Sequence, residues 1–241
     1  MIRAILFDKD GTLLDFEATW GPMYRALALE LAGGDAARAL AMLVAGGLDA
    51  ATGRVRSGSV LGAGTSAEMV ALWFPALDAA AAAALAATID ARCHDHGRSG
   101  SVVVPGAAEV LARLAAAGYA MGVATNDGTL AAVGAMDALG FAGWLPHVYG
   151  YDAVARPKPA ADAVHAFAAA AGVEADEVAV VGDNRHDLEM ARAAGAGAAI
   201  GVLTGNSGHD DLAPFADVVL PSIRELPDWL AAGRDPDQNR K

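Results

Sequence analysis

The chain has 241 residues, 54% hydrophobic but only 6% aromatic, so its core must be built mainly from Ala, Val and Leu. A formal net charge of −12 argues against non-specific nucleic-acid binding and against an anionic membrane surface, because both need cations to meet phosphate. Cys93 is the only cysteine, which excludes an intrachain disulfide, and no apolar run is long enough for a membrane span.

In chain order, Ile2–Phe7 reads as a strand that is apolar almost throughout, as in a parallel sheet buried on both faces. It delivers Asp8, followed by Lys9, Asp10 and Gly11. No charged-then-apolar leader precedes it, and cleavage of a leader would remove the strand that carries Asp8; a cytoplasmic location is the expectation. From Phe16 to Arg98 no strand is legible. Helices are predicted near Thr19–Leu31, Ala36–Val44, Ser66–Leu72 and Asp78–Cys93, with Gly/Ser clusters at 54–64 and 97–100. The alanine run 79–84 reads as helix, with Leu85 and Ile89 marking its apolar side. An all-helical domain, 16–98, is therefore expected as an insertion in a core of 1–15 and 99–241. Beyond it come helix Ala107–Ala117, strand Tyr119–Thr125, helix Leu130–Leu139, strand His147–Tyr151 and helix Ala160–Ala171. Strand Val178–Gly182, helix Leu188–Ala194 and strand Ala198–Val202 follow. This alternation predicts an open, doubly wound α/β domain with a parallel sheet. Gly233–Lys241 is polar and reads as a frayed tail.

Ligands of such sheets bind beyond the carboxyl ends of the strands. There the sequence places Asp8 and Asp10, then Thr125, Asn126 and Asp127, then Lys158, then Asp183 and Asp187. Carboxylates gathered in one crevice repel each other, so they take up protons or hold a hard cation; an all-oxygen set favours Mg²⁺. An Asp can attack phosphorus, and a second acid must then protonate the leaving alkoxide. Thr125 and the Asn126 N–H suit phosphate oxygens, and Lys158, one of three lysines, suits their charge. Taken singly these residues have plainer readings: Asp-x-Asp-Gly as a turn, Thr125–Gly128 as a helix cap, Lys158 as a surface lysine. Their convergence on one edge outweighs those readings. Arg54 and Arg56 lie where an inserted domain meets a second anionic group of a substrate, although solvated arginines fit equally well. His94 and His96 look like a metal pair but lie near the return to the core, and His186 reads as a pocket-rim residue. Cys93, Trp20, Trp73 and Trp144 read as packing residues, with Trp20 close behind the Asp8 loop.

Four segments in this order resemble the haloacid dehalogenase superfamily, in its phosphatase branch with a helical cap after the first strand, and most of all its phosphoglycolate-phosphatase-like members. They are Asp8-Lys9-Asp10-Gly11-Thr12-Leu13, Ala124-Thr125-Asn126, Arg156-Pro157-Lys158-Pro159 and Val181-Gly182-Asp183 through Asp187. Pro105-Gly106-Ala107 and Gly201–Gly205 match as well. The resemblance implies a Rossmann-like sheet of order 3-2-1-4-5 and a Mg²⁺-dependent phosphatase. It makes Asp8 nucleophile and metal ligand, Asp10 acid/base and ligand through its carbonyl, Asp183 a further ligand, and Asp187 a support for that set. Thr125, Asn126 and Lys158 would hold phosphate, and the cap would set substrate choice; Arg56 is an expected substrate contact from its place in the Gly/Ser-rich segment, since cap residues transfer poorly within the family. The substrate would be a small phosphorylated metabolite such as phosphoglycolate or a sugar phosphate, and the protein a monomer or homodimer. Lys9 stands where many relatives carry an apolar residue. A metal-independent dehalogenase would not need Asp10, and a Schiff-base hydrolase would need a lysine in the insertion, which has none. A phosphosugar mutase and a non-catalytic phospholigand binder are the remaining alternatives; the latter predicts a lost catalytic group.

Overall fold

A computed structural model describes residues 1–233, so most of the predicted tail, 234–241, lies outside the described residues. Strand β1 (Ala4–Phe7) opens the chain, and the next helices are α1 (Phe16–Leu31), α2 (Ala36–Gly46), α3 (Val60–Ala63), α4 (Ser66–Trp73) and α5 (Ala79–Ser99). Then follow α6 (Ala107–Ala116), β2 (Ala120–Ala124), α7 (Thr129–Ala138), β3 (His147–Tyr149), α8 (Asp162–Ala171), β4 (Val178–Gly182), α9 (Arg185–Ala194) and β5 (Ala198–Val202). The described chain closes with α10 (His209–Leu212), β6 (Val218–Leu220) and α11 (Leu226–Ala232).

The described strands form one parallel sheet in the order β3-β2-β1-β4-β5-β6, the expected order with a sixth strand added at the edge. Side chains alternate along a strand. Ile5 and Phe7 therefore enter one core layer with Leu111 and Leu114 of α6 and Met136 of α7, while Ala4 and Leu6 enter the other with Val164 and Phe167 of α8 and Leu188 of α9. All four residues of β1 are fully buried, which explains why its sequence shows no polar alternation.

Helices α1–α5 form the insertion and carry a third core, in which Trp20, Leu43, Met69, Trp73 and Ile89 meet. Local chemistry sets their starts. Asp15, Asp35 and Asp78 each accept backbone N–H groups at the head of a helix, and Thr65 and Glu68 form a reciprocal capping box. The strands that lead out of and back into the core are stitched together. Asp15 N–H donates to the Val102 carbonyl (2.8 Å), Val104 N–H to that of Leu13 (2.9 Å), and Val102 N–H to Thr19 Oγ1 (3.0 Å). Helix α5 runs six residues past the predicted Cys93, through Gly97 of the Gly/Ser cluster, and stops at Gly100. Among the described residues no helix is long and apolar enough to cross a membrane.

Candidate active site at the carboxyl edge of the sheet

The register of β1 brings the site together. Phe7 pairs with Val123 of β2 and with Val181 of β4, so these three neighbouring strands end at nearly one level. Asp8 follows β1 and donates its N–H to the Val181 carbonyl (2.8 Å), Thr125 follows β2, and Asp183 follows β4. Beyond β1 the strand sequence continues to one side through β2 and β3 and to the other through β4, which is the switch point where open α/β sheets bind ligands.

Asp8, Asp183 and Asp187 are all buried, and one oxygen from each lies within 4.8 Å of the other two. Lys158 Nζ donates to Asp8 Oδ1 and to Asp187 Oδ1, each at 2.6 Å. Asp183 has no ion-pair partner among the described residues. There its Oδ2 accepts only the Asn206 N–H (3.1 Å), and burial, with Asp8 and Asp187 nearby, drives its carboxyl well above the usual range against the weaker pull of Lys158. Burial also raises Asp8 to about 6, against the pull of Lys158. Burial alone would lower Lys158, but the two carboxylates outweigh it and its ammonium stays charged. A compact, all-carboxylate set with more negative charge than one lysine can offset fits a hard divalent cation such as Mg²⁺. Two glycines leave room for it: a Cβ on Gly11 (φ 88°) or on Gly205 would run into the Asp183 carboxylate.

The Asp10 carboxylate points away from this trio. Its Oδ1 accepts Trp20 Nε1–H of α1 (2.7 Å), and its Oδ2 lies 2.8 Å from Lys9 Nζ. Lys9 is fully buried, pairs also with Asp127 Oδ2 (2.8 Å), and sits 5.2 Å from the centroid of the Trp20 ring. Burial raises the Asp10 carboxyl; Lys9 opposes the rise, and Asp127 and Asp8 reinforce it. On the other wall Thr125 Oγ1 accepts the Asp127 N–H (3.1 Å), and Asn126 Nδ2 donates to the Lys158 carbonyl (3.3 Å). The Asn126 N–H has no acceptor among the described residues. Asp8, Asp10, Thr125, Asn126, Lys158, Asp183 and Asp187 all line one cavity of about 600 Å³ between the sheet edge and the helical insertion.

Arg56 does not join them, which corrects the expectation from the sequence. An antiparallel bridge between Leu48 and Val55 turns Val55 into the insertion's core, so the flanking Arg54 and Arg56 side chains point the other way. Arg54 Nη2 docks on the Gly205 carbonyl (3.1 Å), and Arg56 is exposed outside the cavity. His94 and His96, two apart on a helix, face different directions. His94 lines the cavity, while His96 Nε2 bonds the Thr19 carbonyl oxygen (2.6 Å). His186 is a half-buried cavity residue whose imidazole burial lowers its pKa. Trp73 and Trp144 are packing residues, as read: Trp73 Nε1 caps the Met42 carbonyl, and Trp144 packs on Phe141. Burial pushes the Cys93 thiol up to about 12, so it is no nucleophile. Lys9, Trp20 as a partner of Asp10, and Ser57, which bonds Ser207 Oγ (2.7 Å), are contacts the sequence did not disclose.

A model of the haloacid dehalogenase-like hydrolases matches residues 2–195. The chain belongs to this family. It is 35% identical over 133 residues to a phosphoglycolate phosphatase of Rhodospirillum rubrum, covering 55% of this chain and 54% of that one. It is 37% identical over 126 residues to a protein named probable phosphatase IndB of Dickeya dadantii, covering 52% and 54%. The matches thus span about half the length of these curated relatives. A solved structure of a predicted phosphoglycolate phosphatase from Haemophilus somnus 129pt superposes with TM-score 0.74 at 20% identity, over 95% of this chain and 98% of that one. That likeness extends the family's fold through the helical insertion.

Proposed function

We propose that the protein is a Mg²⁺-dependent phosphatase that hydrolyses a small phosphomonoester through an aspartyl-phosphate on Asp8. The observation that carries this reading is the bridge of Lys158 between Asp8 and Asp187 beside the uncompensated Asp183. Asp8, the Asp10 backbone carbonyl and Asp183 would hold the metal, with Asp187 supporting them; the bound cation would neutralise phosphate charge and so admit an anionic nucleophile. The Asp8 carboxylate then attacks phosphorus, while Thr125 Oγ1 and the Asn126 N–H hold non-bridging oxygens and Lys158 offsets their charge. Asp10, raised by burial, delivers a proton to the leaving alkoxide and takes one from the water that cleaves the aspartyl-phosphate. Residues 16–98 act as the cap: the Arg54–Gly205 and Ser57–Ser207 contacts tie the insertion to the core beside the site, and its closure on substrate would exclude bulk water. The relatives' names bring 2-phosphoglycolate into the substrate panel. The presence of Asp10 disfavours a dehalogenase, and an isomerised phosphosugar among the products would identify a mutase.

Purified protein is expected to hydrolyse p-nitrophenyl phosphate with Mg²⁺ and to lose that activity in excess EDTA. Asp8→Asn should lower kcat by at least about 10³-fold with an unchanged circular dichroism spectrum. Undiminished turnover in Asp8→Asn would overturn the nucleophile, and full activity in EDTA would overturn the metal.

A further inference from the structure

Only a small part of the cavity is needed for phosphate. Its volume of about 600 Å³ corresponds to roughly twenty water volumes, with the phosphate-holding groups gathered on its sheet side. The remaining wall belongs to the leaving group. It is built from Phe16, Trp20 and Tyr24 of α1, Leu61 of α3, Met69 of α4 and Leu130 of α7. Phe16, Trp20, Leu61 and Met69 are all buried, so this surface is set by packing within the insertion. Burial keeps the Tyr24 hydroxyl protonated.

Among the described residues the wall offers an anionic leaving group the hydroxyls of Thr65 and Ser66 but no permanent cation. No arginine among them lines the cavity, and the one lysine that does, Lys158, is already shared by Asp8 and Asp187. Three of the insertion's six arginines are occupied elsewhere, Arg25 on the Gly53 carbonyl, Arg54 on that of Gly205 and Arg92 on Glu30, and Arg38, Arg56 and Arg98 lie outside the cavity lining. Its basic residue on this wall, His94, carries an imidazole rather than a permanent cation. Two acids face the same space. Asp152 is held by the Thr129 N–H and hydroxyl, and Asp90 of α5 has no recorded partner among the described residues. A carboxylate placed here would lose its hydration without finding a cation and would meet Asp90. An uncharged apolar group would gain by leaving water.

We infer that the leaving group is an uncharged, largely apolar alcohol, not a carboxylate-bearing one such as glycolate. The inference rests on the phosphatase reading, and two measurements keep the two apart. With the full chain and Mg²⁺ at one fixed pH, kcat/KM is compared for benzyl phosphate, 2-phosphoglycolate and O-phosphoethanolamine. All three release primary alcohols. Benzyl phosphate is expected to lead by at least about 100-fold. A lead for 2-phosphoglycolate or O-phosphoethanolamine, or equal rates, would overturn the inference. Calorimetry with benzylphosphonate and phosphonoacetate, which no phosphatase hydrolyses as esters, reads the same wall without chemistry. At least about tenfold tighter benzylphosphonate is expected; tighter phosphonoacetate would overturn the inference even if no ester turns over. Tighter benzylphosphonate with no turnover of any ester would overturn the phosphatase reading alone. Asp90→Arg should narrow the gap between benzyl phosphate and 2-phosphoglycolate by at least about tenfold. An unchanged gap would overturn the assignment of this wall to the leaving group.

Discussion

Lys9 holds a full positive charge with no solvent exposure, which only its two carboxylate partners and the Trp20 ring make tolerable. Together Lys9 and Trp20 engage both oxygens of Asp10 and so fix the direction in which it presents a proton. If Asp10 is the general acid, a variant that frees it should be selective in its damage. Trp20→Phe is expected to slow hydrolysis of an alkyl phosphate about 10-fold or more, and that of p-nitrophenyl phosphate much less, because nitrophenolate leaves without a proton. Equal losses on the two esters in steady-state assays would assign Trp20 to packing alone. The residues that follow the strands were legible in the sequence because a parallel sheet exposes one edge to ligand, and position along a strand then decides who reaches it. Lys9 was not legible as a clamp. Its partner Asp127 is 118 residues away, and a lysine between two acids reads as solvated until the sheet closes over it. The one signal was its charge two positions beyond a nearly apolar strand.

Among the elements, the loop after β5 shows how tightly the site is framed. Gly205 carries no positive φ; it is required because a methyl group would enter the space of the Asp183 carboxylate. Gly205→Ala should therefore weaken Mg²⁺ activation about 10- to 100-fold, read as a shift in the Mg²⁺ concentration for half-maximal rate, while the fold persists. The long elements were legible to within a few residues, since helical periodicity and buried apolar runs carry them. Of the short ones only β1 and β3 were, as parts of strands Ile2–Phe7 and His147–Tyr151. β6 has three residues, α3 and α10 four each, and so brief a segment holds less than two periods of any pattern. The misplacement of Arg56 has the same origin, for it follows from a single isolated bridge between Leu48 and Val55.

For the molecule as a whole, the site is a source of instability that a bound cation, Mg²⁺ on the proposed reading, would relieve. The Asp8 carboxyl lies at about 6 in the fold against 3.8 as its ordinary value, and Asp183 is raised further. A carboxyl raised by folding binds more protons folded than unfolded, so metal-free stability must fall as pH rises from about 4 through the folded value. From about pH 5 to pH 7.5 the loss from Asp8 alone is roughly 1–2 kcal/mol, several degrees of melting temperature. Calorimetric melts should show the metal-free protein less stable at the higher pH, Mg²⁺ restoring it there more than at pH 5, and Asp183→Asn flattening the dependence while removing activity. A metal-free melting temperature that does not fall would contradict the burial of unbalanced charge. The strand order was legible at this scale because crossovers between parallel strands allow few arrangements, whereas the depth of the cavity depends on how five helices pack and no pattern in the chain encodes it directly. The stitches between Asp15 and Val102 and between Leu13 and Val104 have a consequence for ancestry. Chain that departs and returns at adjacent, mutually bonded points can be exchanged for another segment, or shortened to a turn, without disturbing strand pairing. The insertion is then a replaceable cartridge: one site at the sheet edge can be refitted for new ligands by substituting what lies between two neighbouring peptide groups.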